Sequence, residues 1–106
     1  MIEILDTVVL EISFTDRELS IHNANNVLPM LKKAAALNNK NIELNFQMVD
    51  SIDSSAINML VKFYQHMIGS QRALTLTHLS GEMYQTFEMV KLSRFFKIDK
   101  SRIRVR

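Results

Sequence analysis

VDSIDSSAINML, residues 49–60, passes from an apolar strand-like run into an apolar helix-like one through a dense polar step of Asp50, Ser51, Asp53, Ser54 and Ser55. On its N-terminal side IELNF, residues 42–46, alternates apolar and polar side chains, as a strand with one buried face does. On its C-terminal side Ile57, Leu60, Val61, Tyr64, Met67 and Ile68 recur at helical spacing for three turns, and Gly69 is placed to end them. The stretch therefore reads as the junction of a strand, a short loop and a helix.

The same alternation of elements extends in both directions. Downstream, ALTLTHL (73–79) alternates again, Ser80 is a candidate N-cap, and MYQTFEMVKLSRFF (83–96) supplies a third amphipathic helix. Upstream, apolar residues at 24, 27, 28, 31, 34 and 35 line one helix face. Pro29 falls inside that pattern, so the regular helix begins either near Asn25 or Asn26, or near Ser20 with a kink. TVVLEISF (7–14) reads as a strand rich in β-branched residues, and the preceding EIL as the other arm of a short hairpin around Asp6. The order β(β)αβαβαβ predicts an α/β fold. Its central sheet is mixed and largely parallel, with about four to five strands. In the last ten residues, KIDKSRIRVR, Ile103 and Val105 alternate with arginines and predict a closing strand, one face packed and the other solvated.

Composition limits what such a fold can do. A chain of 106 residues with two glycines, one proline and no biased tract fits one domain, residues 1–106. With no cysteine, disulfides, thiol catalysis and thiolate metal sites are excluded. MIEILDTVV lacks the basic start and long apolar run of a signal peptide, and no apolar run spans a bilayer, so the expected location is the cytoplasm, away from membranes. The net charge of +2 is concentrated near the C-terminus without interleaved aromatics, which argues against direct nucleic-acid binding.

The polar step admits two readings. Asp and Ser are favoured N-caps, and D-S-S before a helix needs no further purpose. A single cap, however, uses one such residue, and here five cluster where the carboxyl end of a strand meets a helix N-terminus, the usual functional edge of an open α/β sheet. On an ideal helix Ser55, Met59, Lys62 and His66 fall opposite the Ile57–Leu60–Val61–Tyr64 face, with Phe63 at the margin. Met59 is then either an outward docking residue or a residue covered by another helix.

NFQMVDSIDSSAINML resembles the signature of STAS domains, named for sulfate transporters and anti-sigma factor antagonists, in which a strand leads to D-S-S-G-L or D-S-S-A-L and a helix. ELSIHNANNVL (18–28) resembles the family's E-L-D turn into the first helix, and MYQTFEMVKLSRFFKI its third helix and closing L-x-x-F-F-x-I phrase. The resemblance covers most of residues 7–98. It implies a phosphorylation-switched binding protein of the anti-sigma factor antagonist type, itself neither an enzyme nor the holder of a cofactor. Its partners would be an anti-sigma factor that is also a serine kinase and a PP2C-type phosphatase, with ATP and Mg²⁺ belonging to those partners. Carried over, the phosphorylated serine is Ser54, flanked by Asp53, Ser55 and Asp50. The partner surface comprises Ser20, Met48, Val49, Ala56, Asn58, Met59, Lys62 and Phe63. The free protein would be a monomer or weak dimer. Three positions depart from the family pattern: Ser20 replaces an aspartate, Ala56 a glycine, and Lys91 a glycine usual in the third helix. The alternative is an unmodified scaffold or adaptor subunit of a larger regulatory or transport complex, where D-S-S only caps a helix.

Other chemistries find little support. G-x-S-x-G is absent and His22, His66 and His78 have no spacing that brings a base to Ser54, so serine hydrolysis is not expected. Asp50 with Asp53 is too small a set for an expected metal site, and 49–56 contains no glycine with which to cradle a nucleotide phosphate.

Overall fold

The computed structural model describes residues 1–104. Strands β1 (Ile2–Asp6) and β2 (Leu10–Phe14) form the N-terminal hairpin, and a two-residue strand β3 (Glu18–Leu19) leads into helix α1 (Ala24–Ala35). Then follow β4 (Ile42–Asn45), a second two-residue strand β5 (Ser51–Ile52), α2 (Ser54–Met67), β6 (Leu74–Thr77), α3 (Gly81–Met89) and β7 (Lys97–Ile98). The main sheet has five strands in the order β1-β2-β4-β6-β7, antiparallel between β1 and β2 and parallel elsewhere. The mixed, largely parallel α/β architecture and the hairpin match the expectation from the sequence.

Register explains why the core lies on one side. Leu10, Ile42 and Leu74 face one another across the strands, as do Ile12, Leu44, Leu76 and Ile98, and all but the half-buried Ile98 are buried. Buried residues of all three helices join this face in one contiguous core. The opposite face carries half-buried Glu11, Ser13, Glu43, Asn45 and Thr75. The short spacing of β-strand side chains thus divides apolar from polar, and the helices stack where the apolar set projects.

Three local expectations are corrected, and one pair of alternatives is decided. Thr7, Val8 and Val9 belong to the hairpin turn rather than to the strand, and Val8 is 92% exposed. Helix α1 begins at Ala24, close to the Asn25 alternative and not at Ser20, and continues past Pro29; the Asn25 carbonyl that proline deprives of a partner lies on the exposed side, where water can serve it. Helix α3 ends at Met89, because Lys91 adopts the left-handed conformation (φ 62°, ψ 34°) and a 3₁₀ turn, Leu92–Arg94, follows. The closing strand is only Lys97–Ile98; the chain then makes a 3₁₀ turn at Lys100–Arg102, and Val105 and Arg106 lie outside the described residues. Nor are Arg102 and Arg104 simply solvated. Arg102 pairs with Asp99 and Glu43, and Arg104 donates to the carbonyls of Gln47 (3.0 Å) and Val49 (2.7 Å). Among the described residues, no helix is long and apolar enough to cross a membrane.

Candidate functional site

The two-residue strands β3 and β5 pair in parallel, Glu18 with Ser51 and Leu19 with Ile52, and form a small second sheet. This pairing brings the turn into α1 against the start of α2, although some thirty residues separate them in sequence. Arg17 supplies its carbonyl to the N–H groups of Asp50 (2.7 Å) and Ser51 (3.3 Å), and Asp53 N–H donates to the Leu19 carbonyl (3.2 Å). Asp50 adds a side-chain tie, accepting from Arg17 Nε at 2.8 Å. Both partners are largely exposed, so that ion pair contributes little beyond alignment.

Asp53 is the centre of the junction. As N-cap of α2 its Oδ1 accepts from the N–H groups of Ser55 (2.9 Å) and Ala56 (3.1 Å), while Oδ2 accepts from Ile21 N–H (3.0 Å). Burial pushes this carboxyl's pKa up. The donors from Ile21, Ala56 and Ser55, with the nearby His22, outweigh that effect, and the group titrates below the ordinary aspartate range. It is therefore an anion at neutral pH, and it occupies the helix N–H groups that would otherwise hold another anion.

Consequently the two serines differ. Ser54 is the first residue of α2 and exposed, and its hydroxyl has no hydrogen-bond partner among the described residues. Ser55 is half-buried and lines a cleft of about 80 Å³ between the N-terminal halves of α1 and α2, together with Asn25, Leu28, Asn58, Met59 and Lys62. Neither hydroxyl has a hydrogen-bond partner among the described residues, and that of Ser54 is the more exposed.

Of the other residues predicted for the site, Met48 (55% exposed), Asn58 and Lys62 reach the surface around Ser54's helix. Ser20 is buried: its N–H donates to Asn23 Oδ1 (2.9 Å), its Oγ accepts from His22 N–H (3.2 Å), and its carbonyl accepts from Ala24 N–H (2.8 Å). It shapes the turn into α1 more than it presents a contact. Val49, Ala56, Met59 and Phe63 are each buried in the core of the free chain rather than displayed on its surface. The inward face of α2 is Ala56, Met59, Leu60, Phe63 and Met67, whereas Ile57, Val61 and Tyr64 are only half-buried at its margin. The helix packs between the sheet on one side and α1 on another, so its apolar arc is wider and rotated from the one projected for the helix alone. Met59 lies under α1.

Sequence reasoning missed Ile21, Arg17, Glu18 and His22. Glu18, Ser20 and His22 face Ser51, Ile52 and Asp53 across a cleft of about 160 Å³. Two-residue strands carry no periodicity by which to be recognised; the one available signal was Ile21, an isoleucine inside a polar turn and 68% exposed in the fold.

A family model described as STAS domain matches residues 2–102. No curated protein matches the chain in sequence. Among solved structures, the chain is similar to an anti-sigma-factor antagonist (STAS) domain protein from Planctomyces limnophilus, with TM-score 0.80 and 16% identity over 92% of this chain and 87% of the other. A putative anti-sigma factor antagonist from Thermotoga maritima gives 0.73 at 22% identity, over 92% and 83% of the two chains. The anti-sigma factor antagonist SpoIIAA in its unphosphorylated form gives 0.68 at 16% identity, over 94% and 86%. At these identities the likeness is one of fold.

Proposed function

The chain belongs to the STAS domain family, and from that premise we propose that it is a phosphorylation-switched binding protein of a partner-switching pathway, acting in the cytoplasm. In its unphosphorylated form it binds an anti-sigma factor that is also a serine kinase, and so releases a sigma factor or another regulator. The kinase transfers phosphate to Ser54, the complex dissociates, and a PP2C-type phosphatase restores the free hydroxyl. The protein performs no catalysis of its own.

The observation that carries this reading is the division of labour at the start of α2, where Asp53 satisfies the backbone donors and Ser54 is left exposed and unbonded. A phosphate on Ser54 adds roughly −1.5 to −2 charges next to an existing carboxylate. Because the N–H groups of Ser55 and Ala56 are already engaged, the phosphate stays at the surface and acts on whatever docks there. A loss of about 3 kcal/mol at such a contact weakens binding about a hundredfold, enough for a switch.

Mass spectrometry after incubation with the cognate kinase and Mg-ATP tests the site: one phosphate on the wild type and none on Ser54→Ala. Binding to the kinase then tests the sign. Ser54→Ala keeps affinity and Ser54→Asp loses it; equal affinities would overturn the switch.

A further inference from the structure

The two edges of the main sheet are unlike. The β7 edge is two residues long, begins with exposed Lys97 and runs at once into a 3₁₀ turn, which blunts it against pairing. The β1 edge is five residues long and mostly apolar, with Ile4 43% and Leu5 58% exposed. Beside it lies an apolar groove of about 250 Å³, where Ile2 and Ile4 face Met30, Ala34 and Leu37 of α1 and the loop after it.

Hydrogen-bond parity identifies what this edge still offers. In the β1–β2 hairpin, Thr15 N–H donates to the Met1 carbonyl and Thr7 N–H to Val9, so the odd-numbered residues of β1 turn their backbone groups toward β2. The N–H and C=O groups of Ile2, Ile4 and Asp6 point away from the sheet. An antiparallel copy of the same strand, related by a two-fold axis at Ile4, sets Ile4 opposite Ile4, Ile2 opposite Asp6 and Asp6 opposite Ile2. Each outward group then meets a complementary one. The side chains agree with the backbone: on the far face Glu3 comes opposite Leu5, so no like charges meet directly. On the groove side Asp6 is already paired with Lys40 Nζ at 2.6 Å, and Lys33 of α1 also lines the groove.

We propose that a second copy of this chain pairs along β1 through a two-fold axis at Ile4, joining the two five-stranded sheets into one and bringing the two Ile2–Ile4–Met30–Leu37 grooves together. The pairing uses the strand edge and the C-terminal half of α1, and it does not rest on the serine switch.

Sedimentation equilibrium from low micromolar to near-millimolar concentration tests the association, and a single introduced cysteine tests the register, since the chain has none of its own. Wild-type protein sediments as a concentration-dependent dimer. Ile4→Pro removes only an N–H that β2 does not use and Ile4→Lys opposes two charges at the axis; each keeps its circular dichroism and weakens dimerisation about tenfold or more. Two Cα atoms facing each other as a hydrogen-bonded pair lie about 5.5 Å apart, within disulfide range. Ile4→Cys therefore cross-links to a covalent dimer on mild oxidation, and the more exposed Val8→Cys does so far more slowly. A monomer at every concentration would overturn the proposal. So would a dimer that ignores both Ile4 variants, or one in which Ile4→Cys cross-links no faster than Val8→Cys.

Discussion

Asp53 and Ser54 are adjacent, and the fold assigns them opposite tasks. The Asp53 carboxylate accepts three backbone donors from two segments, so it closes α2 and also clamps the turn at Ile21. Its titration below the ordinary aspartate range means that the folded state favours the anion. The stability it contributes is complete above about pH 4 and is lost as the pH falls through its lowered value. Thermal melts between pH 7 and pH 3 should show this loss in the wild type, in company with Asp99, whose carboxyl is also lowered, chiefly by the Ser101 and Arg102 side chains. Asp53→Asn should melt lower at pH 7 and lose less on acidification, because the group that titrates has gone. A second residue-scale prediction concerns Lys91, exposed and held at φ 62° where the family commonly has glycine. A side chain in the left-handed region is strained, and Lys91→Gly should raise stability by about 0.5–1 kcal/mol in urea titration.

At the scale of the element, α2 has a packed side and an exposed one. Met59 is 3% exposed and lies between its own helix and α1, so Met59→Ala should cost about 2–4 kcal/mol in unfolding free energy. Lys62 is one turn further along the helix but exposed, and Lys62→Glu should leave stability within about 0.5 kcal/mol. If the partner docks over the start of α2, the order reverses in a binding assay: Lys62→Glu weakens the complex, while Met59→Ala, measured below its unfolding transition, leaves it nearly intact. Helical periodicity from Ile57 to Ile68 had marked α2, which the fold extends back to Ser54 and ends at Met67. The direction of its faces was another matter, because periodicity gives the spacing of an apolar arc and not the number of neighbours that arc must meet.

For the whole molecule, the switch proposed at Ser54 should change charge and not conformation. The N–H groups of Ser55, Ala56 and Ile57 are already satisfied by Asp53, and the preceding segment is held by β3 and β5 and by the Arg17 carbonyl. Ser54→Asp should therefore melt within about 2 °C of the wild type, with amide chemical-shift changes confined to residues near 21 and 51–58. Widespread shifts would mean that phosphate acts by rearranging the fold. The dimer proposed along β1 uses a different edge of the molecule, so it should form equally with Ser54→Ala and Ser54→Asp.

The amino-acid sequence by itself determined the succession of elements, the mixed and largely parallel sheet, the hairpin, and the placing of an aspartate cap and two serines where a strand gives way to a helix. Those features depend on interactions between near neighbours: side chains alternating every second residue, an apolar stripe every three or four, a carboxylate beside its own helix N-terminus. Tertiary structure alone decided which serine is the more exposed, which face of α2 is covered, and that Ile21 is joined to Asp53. It also turned Arg102 onto Glu43 and Arg104 onto the carbonyls of Gln47 and Val49. Each of those outcomes depends on a partner about thirty residues or more away, or on a second helix lying over the first, and no local pattern of apolar and polar residues encodes which surface another segment will occupy.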